Sequence, residues 1–387
     1  MITHIPEAYA DTVAPMRAAH EEIVNTLKQY GITFPEYPAL DRPGNPRGAA
    51  AALAHPMQGV LKYHGLADWA WRIAYLPSIS VCNSAGYTLT FVEFDPALSE
   101  DVAVIGGVTA AGRALERVKQ SLDAVRRAAH MTTRARVISK NVVRGGKAGK
   151  GLGTSASGSA ALAVAAIAAA FGAESTQNTR FVSSMARLLA GSGCRSATGG
   201  VSLWLSYPGA APEDSFAVRL DTHNQLADMR LITVPIDSRI GLRTEQAHAD
   251  APNSPLFKCW MLNRRTEILE CIDAVQAGDW QTIGRLAERD SIQLHAVTMT
   301  GGADHKIFAW EPENLTLFRA CNDLRASGAP VYASTDTGPT AVLLTHRDYV
   351  ERVTSHVRAL GFEAIESEIG GPARLVDVEQ ARQELEF

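Results

Sequence analysis

The chain has 387 residues, of which 46% are hydrophobic, and its 41 acidic and 37 basic side chains give a formal net charge of −4. This near balance argues against a protein that coats nucleic acid or a membrane surface, and the length is typical of about two or three domains. Five cysteines without a CxxC pair favour free thiols in a reducing cytoplasm. Because the sequence also lacks a signal-peptide pattern and an apolar run of membrane-spanning length, we expect a cytoplasmic protein that binds neither nucleic acid nor membrane.

The first quarter of the chain predicts a helix, a loop and two strands. Apolar residues recur at helical spacing over residues 8–30, and Gly31 marks the end of that helix. Six prolines and glycines over residues 35–50 indicate a loop or linker. Residues 76–81 and 87–94 then form two β-like runs joined by a short turn.

The remaining elements alternate without a regular order. Helices are predicted over residues 110–130, 154–172, 254–277, 279–298, 313–326 and 348–360. Strands are predicted over residues 135–140, 201–207, 229–236, 331–335 and 340–345, with one more after the last helix. Because strands and helices do not alternate strictly, the pattern favours an α+β fold over a doubly wound sheet.

A stretch rich in glycine and lysine, residues 145–153, leads into the helix that begins near Thr154. Small residues let a phosphate approach main-chain N–H groups, and a helix N-terminus adds unpaired donors and a positive dipole end. Lys147 and Lys150 add full charges, and Ser155 offers a hydroxyl to a metal ion or a phosphate oxygen. This is not a Walker loop, because glycine follows Lys150. Composition alone leaves open whether the stretch binds phosphate or is a surface loop capped by Thr154.

Four motifs in a fixed order resemble those of a known family. GLGTSASG at residues 151–158 resembles the signature of the GHMP kinase superfamily of small-molecule kinases. KYHG at 62–65, GSGCRSATGG at 191–200 and ASTDTGPTAV at 333–342 resemble motifs of the diphosphomevalonate decarboxylases within that superfamily. The resemblance covers residues 60–362 approximately and leaves the N-terminal segment outside it.

The resemblance implies a two-lobed α+β GHMP kinase fold with the active site in the cleft between the lobes. It divides the chain into an N-terminal extension (1–57), an ATP-binding lobe (58–225) and a C-terminal lobe (226–387). It also implies a homodimer, with ATP and Mg²⁺ as cofactors and a phosphorylated mevalonate as the small-molecule substrate.

The family reaction phosphorylates a tertiary 3-hydroxyl and then loses phosphate and CO₂, and the resemblance gives three residues catalytic roles. Asp336 accepts or aligns the hydroxyl proton, Arg195 binds the substrate carboxylate as a planar two-pronged donor, and Lys62 stabilises charge on the transferred phosphoryl group. By residue type alone, Asp336 equally suits a turn, and Arg195 and Lys62 equally suit a solvated surface.

The resemblance also assigns binding residues. Those for the nucleotide are Lys147, Lys150, Gly151, Gly153, Thr154 and Ser155, with Ser155 as the metal contact. Those for the substrate are Tyr63, Ser192, Gly193, Arg195 and Ser196. Cys194 is expected to be a packing residue, and His248 and His295 are expected to have core or capping roles.

Two departures from the family motif bear on the substrate. The family lysine that contacts the terminal diphosphate is replaced by Leu66, and the family tryptophan by His64. Loss of a cation weakens diphosphate binding, so we expect ATP-dependent decarboxylation of mevalonate 5-phosphate to isopentenyl phosphate, in an alternative mevalonate pathway of isoprenoid biosynthesis. The alternatives are a diphosphomevalonate decarboxylase, a mevalonate 3,5-bisphosphate decarboxylase that needs no ATP, a kinase without decarboxylation, and a non-catalytic binding protein.

Overall fold

The computed structural model describes residues 5–40, 43–144, 153–239, 244–304 and 306–387. The α-helices within these residues are α1 (Val13–Gln29), α2 (Gly112–Ala128), α3 (Thr154–Phe171), α4 (Thr179–Ala186), α5 (Gly193–Thr198), α6 (Thr244–Asp250), α7 (Phe257–Ala277), α8 (Trp280–Gly301), α9 (Pro312–Ala326), α10 (Val350–Ala359) and α11 (Val378–Leu385). The strands are β1 (Ala49–Ala54), β2 (Met57–Leu61), β3 (Leu66–Asp68), β4 (Ile73–Ala74), β5 (Ser78–Cys82), β6 (Gly86–Phe94), β7 (Val102–Ile105), β8 (Val108–Thr109), β9 (Ala135–Val143), β10 (Val201–Leu205), β11 (Phe216–Arg219), β12 (Met229–Val234), β13 (Val331–Thr335), β14 (Ala341–His346), β15 (Ile365–Ser367) and β16 (Arg374–Val376).

The α+β prediction is confirmed, and the long periodic segments lie close to their predicted bounds. The elements that the sequence did not predict are short or lack a clear pattern; β1, β2, α4 and α5 are among them. β1 is almost entirely alanine, which has weak strand propensity, and so its sequence did not indicate a strand. α5 consists mostly of small residues over only six positions, too few for a helical period to be visible.

The largest sheet has the strand order β16-β1-β6-β9-β7-β8, and α3 packs across β1 and β6. The alanines of α3 let the helix approach the sheet closely and form a continuous buried core with it. Among the described residues, α3 is the one helix long and apolar enough to cross a membrane, yet 83% of it is buried inside the protein. Its composition is therefore that of a core helix.

A second sheet, β11-β10-β5-β2, packs on α7 and α8, and a third, β13-β14-β12-β15, packs on α9 and α10. α8 contacts both β2 and β13. The end of β2 leads to Lys62, and the end of β13 leads to Asp336. One helix therefore fixes the relative position of two residues that are far apart in the chain.

The predicted domain limits at residues 57/58 and 225/226 remain predictions, and two pairings cross them. β1 lies before the first limit but pairs with β6 along its full length, from Ala49–Glu93 to Ala54–Thr88. β16 lies near the C-terminus but pairs with β1 in the same sheet. Both ends of the chain thus contribute strands to the sheet that carries α3.

Candidate active site

A cavity of about 280 Å³ lies between the part of the chain that holds α3 and the part that holds β13. The residues that line it are Met57, Gly59, Lys62, Tyr63, Gly153, Thr154, Ser155, Ser192, Arg195, Ser238, Thr244, His248, Leu294, Ala309, Asp336, Thr337, Gly338 and Pro339. All three predicted catalytic residues are present in this set. Their presence in one cavity supports the prediction of an active-site cleft between two parts of the chain.

Lys62 and Asp336 both contact the main chain of Gly59, Lys62 at its carbonyl and Asp336 at its amide. The Lys62 ammonium donates to the Gly59 carbonyl at 2.9 Å and to the Ser334 hydroxyl at 3.0 Å. Asp336 accepts from the Gly59 amide at 3.1 Å and from Gln58 at 3.0 Å. A Cβ atom on Gly59 would lie 2.7 Å from the Asp336 carboxylate and 2.7 Å from the Lys62 side chain, so only glycine permits this approach.

Burial changes the proton affinity of both groups. Burial lowers the pKa of Lys62 to about 8, against the opposing effect of the Asp290 and Asp336 carboxylates. Burial also raises the pKa of Asp336, while Lys62, Arg195 and the Gly59 amide act in the other direction. Asp336 is therefore a stronger base than an exposed aspartate, and it lies beside an amine that is still mostly protonated near neutral pH.

A buried layer beneath the cavity holds this pair in place. Asp290 accepts from the Lys62 main-chain amide, from Trp260 at 2.9 Å and from Arg264 at 2.7 Å. His295 Nε2 lies 3.0 Å from the Asp336 carbonyl oxygen, and burial lowers the pKa of His295 to about 3. The predicted capping role of His295 agrees with this contact, since a neutral imidazole there donates to the peptide that carries the carboxylate.

Arg195 lies on α5 and is 2% exposed, which argues against the alternative of a solvated surface arginine. Its Nε and Nη1 atoms have no hydrogen-bond partner, and its guanidinium carbon lies 5.5 Å from the centre of the Tyr63 ring. A buried guanidinium with unpaired donors at a cavity is suited to a planar anion such as a carboxylate.

The N-terminus of α3 forms the opposite wall of the cavity. Gly153 has a φ of 70°, and a Cβ there would lie 2.4 Å from the Met57 carbonyl, so the helix begins in tight contact with β2. Within the described part of the chain no side chain caps the helix, and Thr154 and Ser155 line the cavity. The N–H donors and the dipole of a helix N-terminus suit a polyphosphate. No cluster of three or more metal-ligating side chains occurs among the described residues.

The predicted binding residues divide into three groups. Tyr63, Ser192 and Arg195 line the cavity. Gly193 and Ser196 do not: Gly193 packs against Ser159 and the Ala186 carbonyl, and Ser196 donates its hydroxyl to the His55 carbonyl. These two residues thus shape α5, and their predicted contact with substrate is not supported. Lys147, Lys150 and Gly151 lie outside the described residues.

Sequence analysis missed several contributors to the site. Gln58 and Ser334 complete the hydrogen bonds around Lys62 and Asp336, and neither residue type carries a signal for such a role. His248, expected in a core or capping role, lines the cavity with its ring stacked on Tyr63 at 4.9 Å.

Cys194 is buried, and burial raises the pKa of its thiol to about 12, consistent with a packing residue.

Comparisons with known proteins agree with this geometry. Residues 54–217 match a family described as the diphosphomevalonate decarboxylase-like N-terminal domain. Phosphomevalonate decarboxylase of Haloferax volcanii is 38% identical over 333 residues, which are 86% of this chain and 99% of that protein. Mevalonate 3,5-bisphosphate decarboxylase of Thermoplasma acidophilum is 27% identical over 336 residues, 86% of this chain and 79% of that protein.

Solved structures extend the likeness to the fold. The mevalonate diphosphate decarboxylase from Enterococcus faecalis superposes with a TM-score of 0.76 at 27% identity, over 86% of this chain and 99% of that one. A structure described as MDDEF in complex with MVAPP, AMPPCP and magnesium gives the same TM-score, identity and coverage. Proteins of this fold and similarity thus bind an ATP analogue together with magnesium.

Proposed function

This chain belongs to the diphosphomevalonate decarboxylase family, and we propose that within it the enzyme catalyses ATP-dependent decarboxylation of mevalonate 5-phosphate to isopentenyl phosphate. The observation that carries this proposal is the convergence of an ammonium, a guanidinium and a carboxylate on one cavity. Lys62, Arg195 and Asp336 are separated by more than a hundred residues in the chain, yet all three line the space beside the start of α3.

The first step is phosphorylation of the 3-hydroxyl, for which bound Mg-ATP supplies the phosphoryl group. Asp336 accepts the hydroxyl proton as the new oxygen–phosphorus bond forms and the bond to ADP breaks. Its raised pKa suits this task, because a stronger base takes the proton more readily. Lys62, held by Gly59 and Ser334, keeps a positive charge near the developing negative charge.

In the second step the carbon–oxygen bond at C3 breaks and phosphate leaves. The electrons of the bond to the carboxylate carbon form the new double bond, and CO₂ departs. Arg195 holds the carboxylate with its two unpaired donors, so that the breaking bond lies in a fixed direction. Neutral surroundings, such as the Tyr63 ring beside Arg195, exclude water from the developing positive charge at C3.

The preference for the monophosphate is supported by two observations. Leu66 is 5% exposed and packs among apolar neighbours where the family resemblance predicts a lysine for the diphosphate. The identity to the Haloferax phosphomevalonate decarboxylase is 38%, against 27% for the Thermoplasma bisphosphate decarboxylase. The second candidate substrate is mevalonate 3,5-bisphosphate, and the uncapped α3 N-terminus favours ATP use over it. A homodimer and a cytoplasmic location stay predictions.

The experiment that tests the function uses purified protein, Mg-ATP and carboxyl-labelled mevalonate 5-phosphate. Equal amounts of CO₂ and ADP are expected, and Asp336→Asn should lower kcat by ~10²- to 10⁴-fold because it removes the base. Asp323→Asn, at an exposed aspartate of α9, is the matched control and should retain full activity.

Alternative outcomes identify the alternative functions. ADP without CO₂ would indicate a kinase only, and CO₂ from the 3,5-bisphosphate without ATP would indicate the bisphosphate decarboxylase. A higher kcat/KM with mevalonate diphosphate than with the monophosphate would overturn the proposed substrate.

A further inference from the structure

Three arginines gather beyond the cavity wall formed by Tyr63 and His248; they are Arg72, Arg113 and Arg117, named here the arginine cluster. Burial lowers the pKa of Arg72 and of Arg117, and charge repulsion adds to this effect, from Arg113 on Arg72 and from Arg72 and Arg113 on Arg117. Arg72 is 8% exposed, and the Nε atom of Arg117 is buried without a hydrogen-bond partner. Like charges held this close indicate a site built for an anion.

Within the part of the chain that the structure describes, Glu245 is the carboxylate that pairs with this cluster. Its two oxygens face different arginines: Oε1 lies 3.6 Å from Arg72, and Oε2 pairs with Arg113. One carboxylate against three guanidinium groups leaves a positive excess. The Glu245 side chain is 27% exposed and precedes the turn of α6 that carries His248, so it lies beside the cavity and not deep in the core.

A continuous series of contacts connects the cluster to the reacting groups. The Arg195 guanidinium faces the Tyr63 ring, Tyr63 stacks on His248 at 4.9 Å, and the charge of Arg72 acts on both Tyr63 and His248. His248 is 8% exposed, and its Nδ1 atom has no hydrogen-bond partner. The wall that leads away from Asp336 therefore ends in an unpaired imidazole nitrogen backed by positive charge.

The local fold explains how Arg72 comes to this place. β3 and β4 form a short hairpin in which Leu66 pairs with Ala74 and Asp68 with Ile73, so Arg72 is the last residue of the turn, two positions before the partner of Leu66. Arg72 has a φ of 49°, a conformation that non-glycine residues rarely adopt, and its Nε donates to the Leu188 carbonyl at 2.8 Å. An unfavourable backbone conformation fixed by a hydrogen bond indicates that the direction of this side chain matters.

Building on the proposed function, we propose that Arg72 and Arg113 bind the 5-phosphate of the substrate, with His248 Nδ1 as a further contact and Glu245 as the anion that the phosphate displaces. The charge that the family places at the position of Leu66 is then supplied from the turn of the same hairpin. A phosphate monoester carries a charge of about −1.5 to −2 at neutral pH, so it outcompetes a single carboxylate for two guanidinium groups.

The mevalonate skeleton is consistent with this direction. The carboxylate and the phosphate are on different branches from C3, so a molecule with its carboxylate on Arg195 extends its other branch along the wall. Tyr63 and His248 offer that branch a flat, largely apolar surface. The phosphate is then directed past Thr244 and His248 toward the arginine cluster, which pairs with the adjacent Glu245.

The test measures the affinity of each variant for mevalonate 5-phosphate and for unphosphorylated mevalonate, by calorimetry in the presence of AMPPCP and magnesium. Arg72→Met should weaken binding of mevalonate 5-phosphate by about 10- to 100-fold and leave mevalonate binding unchanged. Glu245→Gln should have the opposite sign and strengthen mevalonate 5-phosphate binding by about two- to fivefold. If this salt bridge had only a structural role, both substitutions would change the affinity for mevalonate 5-phosphate in the same direction.

Arg113→Gln and Arg127→Gln form a matched pair, because both residues are exposed on α2, about 21 Å apart along the helix. The first should weaken mevalonate 5-phosphate binding, and the second should not. Because Arg113 is exposed, this pair remains informative if Arg72→Met does not fold. Equal effects of Arg72→Met or Arg113→Gln on both ligands would overturn the inference.

The outcome also separates this inference from the proposed function. If the wild-type enzyme prefers the diphosphate, the proposed substrate is wrong, and the cluster is then tested with the diphosphate against mevalonate. If the wild type decarboxylates mevalonate 5-phosphate but both arginine variants bind it normally, the proposed function stands and the phosphate site is elsewhere.

Discussion

Two buried arginines on either side of Lys62 have opposite surroundings. Arg264 is fully buried, lies 2.7 Å from Asp290 and 3.1 Å from Glu267, and faces the Trp260 ring at 4.9 Å. Arg195 is 2% exposed and makes no ion pair within the described residues. Nε and Nη1 of both arginines have no hydrogen-bond partner, so the difference between the two side chains lies in their ion pairs. The two side chains are of one type and nearly equal burial, but only one has its charge balanced by the protein.

This difference indicates that the two arginines have different roles, one in stabilising the fold and one in binding the substrate. A buried charge is costly unless it is paired, so Arg264 with its two carboxylates serves the fold beneath the cavity. The charge of Arg195 is buried without a partner, which is unfavourable in free energy, and a bound substrate carboxylate can remove this penalty. Binding of that carboxylate is therefore strengthened by the very feature that makes free Arg195 unfavourable.

Arg195→Met is the strongest test of this comparison. Loss of two charge-assisted hydrogen bonds of ~1.5–3 kcal/mol each should lower kcat/KM by ~10²- to 10⁴-fold. The free energy of unfolding should remain equal or rise, because an unpaired buried charge is removed. Arg195→Lys should not restore activity, since a point charge cannot replace a planar fork. Steady-state kinetics with thermal denaturation provides both measurements, and a large loss of stability would contradict the comparison.

Arg264→Met should show the reverse pattern. It leaves Asp290 and Glu267 buried without their cation, which is expected to lower the free energy of unfolding by ~3–5 kcal/mol. Arg265→Met is the matched control on the same helix: its exposed pair with Glu22 is screened by solvent, and its loss should leave the free energy of unfolding nearly unchanged. Urea denaturation measures both variants. Equal stability of the Arg264 and Arg265 variants would show that the Arg264 charge is not held as the structure indicates.

The sequence pointed to the residues that line the cavity more readily than to the residues that support them. The resemblance singled out Lys62, Arg195 and Asp336 from the motifs that contain them, and the structure brings all three to one cavity. Arg264 and Asp290 act through contacts between α7, α8 and β2, and no local pattern of residue types reveals which distant groups will meet.

The same limit explains the errors within the motifs. Ser196 stands one position after Arg195, but the helical turn of α5 directs its hydroxyl to the His55 carbonyl instead of the cavity. Arg72 stands in a segment where only the hairpin register of β3 and β4 brings it near the site. Motif spacing thus identifies which segment is functional, while the direction of each side chain depends on pairings between segments.

The pH profile gives the smallest expected effect and sharpens the comparison of the two arginines. Lys62 must carry its proton to stabilise the phosphoryl group, and burial lowers its pKa to about 8, so kcat/KM should fall about tenfold per pH unit above that value. Tyr63 and Cys194 cannot account for this limb, because burial raises each of their pKa values to about 12. Lys62→Arg should shift the alkaline limb to higher pH, since arginine keeps its proton throughout, and should lower the maximal kcat/KM.

Arg195 and Arg264 both lower the pKa of Lys62 by repulsion, but the comparison predicts that only the effect of Arg195 depends on substrate. When the substrate carboxylate neutralises Arg195, the pKa of Lys62 should rise. The alkaline limb of kcat, which reports the bound enzyme, should therefore lie at higher pH than the limb of kcat/KM, which reports the free enzyme. Coincident limbs for kcat and kcat/KM would mean that the substrate carboxylate binds elsewhere and leaves the charge of Arg195 unbalanced.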